Sequence, residues 1–261
     1  MNRHERLSAL LDILATQGQV EIEEAAERLG MSAATVRRDL DQLAAQQLVT
    51  RTRGGAVANQ VSYDLPMRYK SARHVPEKER IAAAAAALVK RDMVVALNGG
   101  TTTTAVARAI ATSPALADPG GGQVVTVVSN ALNIAAELIM RPNVRVVATG
   151  GVALPQSYEL IGPLATKIIS ELTFDIAFLG VDGIEPAFGA SAHHDGEASI
   201  NHLMAELARQ VVVVTDSSKL MRRSFARICH TREVNLLITD RDAPVDAVRA
   251  FEDLGVTVIT V

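Results

Sequence analysis

SAATVRRDLDQLAAQ, residues Ser32 to Gln46, is the stretch on which the reading of this chain turns. Its apolar residues Val36, Leu40, Leu43 and Ala44 recur at i, i+4, i+7 and i+8, which lines one face of an α-helix and leaves the other wet. Ser32 is suited to cap that helix, because its hydroxyl can accept from an unpaired N–H of the first turn. The wet face opens with Ala34, Thr35, Arg37 and Arg38. A hydroxyl and two guanidiniums on the first turns suit a recognition helix: arginine bonds guanine bidentately in the major groove, and the helix N-terminus attracts phosphate.

The neighbouring segments complete a motif. Leu7, Leu10, Leu11 and Leu14 repeat at helical spacing, and Gly18 follows as a stop. Val20 and Ile22 suit a short strand that leads into a second helix carrying Ile22, Ala25, Ala26 and Leu29, closed by Gly30. Second helix, Gly30-Met31-Ser32 turn and third helix together predict a helix-turn-helix. LVTRTRGGAV, Leu48 to Val57, alternates into Gly54-Gly55 and predicts a hairpin. In a winged helix that hairpin would lay Arg51 and Arg53 against backbone phosphates. The plainer alternative is a three-helix structural bundle with surface arginines. Helix pattern, turn and basic hairpin occurring together favour double-stranded DNA, with Ser32, Thr35, Arg37, Arg38, Arg51 and Arg53 as candidate contacts.

Residues 1–56 hold seven arginines, no lysine and eight acids, so the module is not basic overall. Its charges are segregated instead. Glu21, Glu23, Glu24 and Glu27 crowd the second helix, whereas Arg37, Arg38, Arg51 and Arg53 lie in the third helix and hairpin. One such module would bind weakly, so a homo-oligomer, dimer or tetramer, is expected to read half-sites about one helical turn or more apart.

The whole chain, 261 residues with net charge −3 and 48% hydrophobic residues, has room for this module and one larger domain. No apolar run approaches the ~18 residues of a membrane span. Glu5 and Asp12 interrupt any export signal, and one cysteine, Cys229, excludes an internal disulfide framework, so a cytoplasmic location is expected. Without tryptophan, and with 3% aromatic residues, base-stacking on single strands has little to work with.

Residues 58–77, with Pro66 and Pro76, break both periodicities and read as a linker between a winged helix-turn-helix at 1–57 and a second domain at 78–261. From there the pattern alternates. A helix over Glu79 to Val89 precedes apolar strands at Met93–Leu97, Val124–Val128, Val144–Ala148, Ile176–Val181, Val211–Thr215, Leu236–Thr239 and Val256–Val261. Helices are expected near Thr102–Ala111, Ala131–Met140, Pro163–Leu172, Glu197–Arg209 and Val245–Leu254, and Thr112 to Gln123 reads as a surface loop. Such alternation predicts an α/β domain with a mostly parallel sheet covered on both faces.

Ligands of such sheets bind beyond the carboxyl ends of the strands. The first strand ends in Asn98-Gly99-Gly100 and runs into Thr101, Thr102 and Thr103, where glycines admit an anion and helix-start amides hold it. Later strands end in Ser129-Asn130, Thr149-Gly150-Gly151, Asp182-Gly183, Asp216-Ser217-Ser218-Lys219 and Thr239-Asp240. Singly each is a plain turn; together they predict a pocket for a polyhydroxylated anion, with Lys219 on phosphate or carboxylate and Asp182 on sugar hydroxyls. There is no P-loop and no Gly-x-Gly-x-x-Gly after a strand, so no nucleotide cofactor is expected. His193, His194, Asp195 and Glu197 invite a metal reading, but their spacing supplies no ligand geometry. A solvated lid, or Glu197 reaching into the pocket or a subunit contact, is the better expectation. Arg222 and Arg223 either add charge for phosphate or cover a surface.

SAATVRRDLDQL, RTRGGAV, NGGTTTT, VVSNAL, ATGG, FDIAFLGVDGI, VVVVTDSSK, RRSFARIC and LLITD, taken together, closely resemble the DeoR family of bacterial transcriptional regulators over essentially the full length. The resemblance implies a winged helix joined to a sensor related to ribose-5-phosphate isomerase and glucosamine-6-phosphate deaminase. It further implies repression of a carbohydrate-catabolism operon, relieved by a phosphorylated sugar. Thr35, Arg37 and Arg38 match the family's base-reading positions, and Gly100, Thr101, Thr102, Thr103, Asp182 and Lys219 its effector pocket. Asn98 is a departure, since the family commonly has an aspartate there. The segments ATGGVALPQSYELIGPLA and GASAHHDGEASIN look most like members serving amino-sugar or galactose-type pathways. The rival reading is a phosphosugar isomerase or deaminase carrying a helix-turn-helix, with Asp182 or Glu197 as general base. The helix-turn-helix and the uncharged Asn98 favour the regulator.

Overall fold

The computed structural model describes residues 3–46, 48–58, 67, 74–118 and 120–261, so most of the linker expected at 58–77 lies outside the described residues. The chain divides into two compact units between Arg73 and His74.

In the first unit, α1 (Arg3–Gln17) leads through β1 (Gln19–Glu21) into α2 (Ile22–Leu29) and α3 (Ala33–Ala45), followed by β2 (Val49–Arg51) and β3 (Gly55–Ala58). The apolar stripes of the three helices meet in one core of Leu7, Leu10, Leu14, Ile22, Val36, Leu40 and Leu43. The strands form an antiparallel sheet in the order β1-β3-β2. A side chain at Gly55 would overlap the Val20 carbonyl, so glycine is what lets β3 lie against β1. Asp39 is a charged residue on the buried side of α3. Arg6 of α1 meets both its oxygens, Nε to Oδ2 at 2.9 Å and Nη2 to Oδ1 at 3.2 Å, and so holds α3 in fixed rotation against α1.

The second unit opens with α4 (Val75–Ala86), inside the stretch assigned to the linker. Pro76 does not prevent this, because a proline in the first turn removes only an N–H that has no helical partner. Then come β4 (Val94–Leu97), α5 (Thr101–Ala111), β5 (Val125–Ser129), α6 (Leu132–Leu138), β6 (Val144–Ala148), the hairpin β7 (Val152–Ala153) and β8 (Leu160–Ile161), and α7 (Pro163–Ile169). The chain continues through β9 (Ile176–Leu179), β10 (Gly183–Glu185), β11 (Gly189–Ala192), α8 (Asp195–Glu206), β12 (Val211–Val214), β13 (Ala226–Cys229), β14 (Leu236–Thr239), α9 (Val245–Glu252) and β15 (Thr257–Thr260).

Seven of these strands form one sheet in the order β15-β14-β12-β9-β4-β5-β6, every neighbouring pair parallel. Alternate residues serve opposite faces. Val95, Leu97, Val127, Phe178, Val212 and Ile238 pack with Ile81, Ile110 and Ile134 of α4, α5 and α6. Ala96, Val128, Ala177, Leu179, Val213 and Leu237 pack with Ile169, Met204 and Phe251 of α7, α8 and α9. This double covering is why the strands are apolar without alternation.

Two features go beyond the sequence reading. The β7–β8 hairpin follows β6, and β10, β11 and β13 make a separate antiparallel sheet. β10 and β11 are short and rich in glycine and alanine, so they carry little β propensity and are held by burial. A third is a correction: instead of a solvated lid, the segment enters α8 at Asp195, where His194 Nδ1 caps the helix by accepting from Gly196 N at 3.0 Å and Glu197 lies buried in the first turn.

Candidate functional site

At the start of α3, Ser32 Oγ accepts from Thr35 N at 3.2 Å and shares a hydrogen bond with Thr35 Oγ1 at 2.9 Å. The cap therefore engages the Thr35 hydroxyl. Arg37 and Arg38 follow on the exposed face, opposite the buried Val36, Leu40 and Leu43. Arg51 is engaged within the protein: Nε donates to Asp41 Oδ1 at 2.7 Å and Nη1 to the Gly55 carbonyl, tying α3 to the hairpin. Arg53 is exposed at the hairpin turn. The unit thus presents Arg37, Arg38 and Arg53 outward, with Arg51 as the brace that sets the hairpin against α3.

In the second unit, parallel pairing brings the carboxyl ends of all seven strands to one edge. The chain reverses its direction of travel across the sheet between β4 and β9, where an open sheet forms its ligand crevice. Asn98 stands there, just beyond β4, almost fully buried. Its Nδ2 donates to Gly180 O at 2.9 Å, and its Oδ1 accepts from Gly180 N at 2.8 Å.

Next along the chain, α5 starts from Gly100, whose φ of +127° is open to glycine and strained for other residues. No side chain caps this helix. The hydroxyls of Thr103 and Thr104 fold back onto Gly100 O at 3.1 and 2.6 Å, so these two serve the turn itself. The amides of Thr101, Thr102 and Thr103 have no intrahelical acceptor, which makes this end an anion site in the geometric sense.

Around it the remaining candidates take distinct places. Asp182, beyond β9, accepts from His193 N at 3.0 Å through Oδ2. His193 Nδ1 meets Ser224 Oγ at 2.6 Å. Among the described residues no three His, Cys, Asp or Glu gather in a metal-holding arrangement. Lys219 ends the turn Ser217–Lys219 after β12, the strand beside β9, and Asp216 caps that turn. Asp240, beyond β14, accepts from Ser217 N at 2.6 Å and Asp242 N at 3.0 Å. Burial works against its charge, but these N–H bonds and the Ser217 hydroxyl outweigh it, and the carboxyl lies below its ordinary value.

Gly150 and Gly151 follow β6. A Cβ at Gly151 would lie 2.7 Å from Ile161 O, so this glycine admits the β7–β8 hairpin rather than a ligand. Ser129 Oγ accepts from Ala131 N at 3.1 Å, shaping the turn after β5. Asn130, fully buried, donates through Nδ2 to Glu159 Oε2 at 2.9 Å.

Glu159 is the residue that sequence reasoning missed. It precedes β8, pairs across an antiparallel bridge with Ala131, and lies buried over Gly99, where an added Cβ would stand 2.6 Å from its Oε1. Its one signal in the sequence is an acid set into the apolar run Tyr158 to Ile161.

Comparison with known proteins agrees with this two-part organisation. Residues 6–61 match the DeoR-like helix-turn-helix domain, and residues 73–241 the DeoR C terminal sensor domain. The HTH-type transcriptional regulator GlpR of Haloferax volcanii is 33% identical over 98% of this chain and 96% of that protein. The glycerol-3-phosphate regulon repressor of Escherichia coli (strain K12) is 29% identical over 97% of each. Among solved structures, ribose 5 phosphate isomerase A from Neisseria gonorrhoeae aligns over 54% of this chain and 52% of that one, with 17% identity and a TM-score of 0.39.

Proposed function

The chain belongs to the DeoR family of transcriptional regulators, and on that premise we propose that it represses a carbohydrate-catabolism operon and releases its operator when a phosphorylated sugar binds. It is a regulator and not an enzyme: both units match regulator models, so the isomerase or deaminase reading is set aside. In this reading α3 enters the major groove, with Arg37 and Arg38 at base edges and Arg53 on phosphate. The effector's phosphate sits on the amides of Thr101 to Thr103, Lys219 adds charge from beside β9, and Asp182 takes hydroxyls. Two copies act together, in the cytoplasm, because one weakly charged module neutralises few phosphates.

The observation that carries the effector assignment is the uncapped, glycine-initiated N-terminus of α5 standing at the sheet's switch point. Coupling then follows from linkage: the effector weakens DNA binding only by its preference for one arrangement of the subunits, typically about 1–3 kcal/mol.

The test uses DNA enriched by the purified protein from a random pool, with fluorescence anisotropy read against a panel of phosphosugars and their unphosphorylated parents. Release by one phosphosugar, absent for its parent and lost in Lys219→Ala with DNA binding intact, is the expected result. If no phosphosugar releases the DNA, the effector assignment fails; if no sequence is enriched, the operator assignment does.

A further inference from the structure

α7 buries Ala165 and Ile169 in the core and turns Leu164, Lys167, Ile168 and, in the turn that follows it, Glu171 to solvent. The outward set recurs at i, i+3, i+4 and i+7, so it is a stripe in its own right: two branched apolar side chains beside a cation and an anion one turn apart. The β7–β8 hairpin extends it. Val152 pairs with Ile161 shortly before α7, and the neighbouring Gly150 lies against the helix, where an added Cβ would stand 3.6 Å from Ile168 Cδ1. Tyr158, in the hairpin turn, accepts through its carbonyl from Leu132 N at 3.0 Å. Leu164 and Val152 are each 65% exposed, and Ile168, Leu132 and Tyr158 are exposed with them. From Val152 to Leu164 one residue is charged, Glu159, and it is buried. Tyr158 also holds a left-handed backbone, with φ of +62°, which costs energy in any residue with a side chain.

Resting on the reading that two copies act together, we propose that this face, α7 with the β7–β8 hairpin, is where a second copy of the chain docks, about a twofold axis that passes beside α7. Exposed apolar side chains grouped in this way mark contact surfaces. Charge decides the occupant. DNA calls for several cations, and a strongly charged protein partner for several charges of one sign, whereas the α7 stripe offers one of each sign. A twofold contact sets a patch against itself, so the patch must be uncharged or self-complementary. The hairpin meets the first condition and α7 the second. With α7 antiparallel to its copy, Leu164 and Ile168 interleave across the axis, and Lys167 of one copy comes opposite Glu171 of the other, twice by symmetry.

Sedimentation velocity of the full chain over a range of concentrations tests this, with far-ultraviolet circular dichroism to show that each variant is folded. The unmodified protein is expected to associate. Leu164→Glu, at an exposed position, should raise the dissociation constant about thirtyfold or more, the scale of an interface hot spot. Val245→Glu is the control, at an equally exposed apolar residue on α9, and should leave association as it was. Lys167→Glu should weaken association by setting like charges together across the axis, and adding Glu171→Lys should recover it. A protein that is monomeric at every concentration overturns the two-copy reading and this surface with it. Association that survives Leu164→Glu, or that falls equally in Val245→Glu, overturns the surface while the two-copy reading stands. A double charge variant that associates no more tightly than Lys167→Glu overturns the twofold arrangement of α7.

Discussion

Asn98 and Gly180 exchange two hydrogen bonds, at 2.9 and 2.8 Å, across the point where β4 and β9 part company. The side-chain amide thereby continues the ladder for one more step after the strands have ended, and it fixes the two loops that flank the crevice. Only a group with both a donor and an acceptor can do this. An ionised aspartate, the residue the family pattern commonly carries here, would satisfy Gly180 N and face Gly180 O with a like partial charge.

Asn98→Asp should therefore destabilise the second unit by about 1–3 kcal/mol, the range for a buried acceptor left unpaired. Protonation restores a donor, so the loss should narrow as pH falls through the introduced carboxyl's pKa. Urea unfolding at several pH values checks it; a loss that widened in acid would contradict the bracket.

Arg6→Met strands the Asp39 carboxylate on the buried side of α3, and the first unit should melt at a lower temperature than in the unmodified protein. Adding Asp39→Leu should recover part of the loss, because no charge is then left without its partner. A double variant no more stable than Arg6→Met would mean that the pair does not hold α3.

Arg37→Ala should lower the preference for the enriched DNA over random DNA by about 1–3 kcal/mol, the value of one bidentate base contact, and leave nonspecific binding little changed. Competition binding at fixed salt separates the two. Equal losses on both DNAs would reassign Arg37 to phosphate.

Asp240 lies below its ordinary value in the folded protein, since the N–H bonds from Ser217 and Asp242 favour the carboxylate. The sign follows: its contribution is complete above the unfolded carboxylate pKa of about 3.9 and is lost as pH falls through the lower folded value. Asp240→Asn should accordingly be less stable than the unmodified protein at pH 7 and lose less on acidification. Parallel stability curves down to pH 3 would rule this out.

Cys229 is buried, and burial, followed by the nearby Glu233 charge, pushes its thiol up to about 12. The thiolate is the reactive form, so the folded protein at pH 8 should consume almost no aromatic disulfide reagent, against one equivalent after denaturation. Prompt reaction of the native protein would show that this strand opens.

Much of the fold was legible because it rests on periodicity. The stripe Val36, Leu40, Leu43 and the apolar runs ending in Asn98, Ser129 and Asp240 report burial on one face or two, a local property that the order of residues carries directly. The hairpin β7–β8 was not legible because strands of two residues carry no period, and the small sheet was not because Gly183–Glu185 and Gly189–Ala192 become strands only by being covered. The site divides in the same way. Gly100 and the threonines after it announce a helix start by composition, whereas Thr103 was expected in the pocket and its hydroxyl turns back on the chain.

The sequence by itself determined the two-domain plan, the recognition helix with its cap, and the parallel sheet whose edge collects the polar strand ends. Only the tertiary structure decided that Arg51 braces the hairpin, that Asn98 clasps Gly180, and that Glu159 lies on Gly99. The physical reason is range. Helix and strand patterns are set by neighbours within a few residues, but a buried polar group is committed to whichever partner the fold brings within hydrogen-bond distance. For Asn98 that partner is 82 residues away, and for Asn130 it is 29.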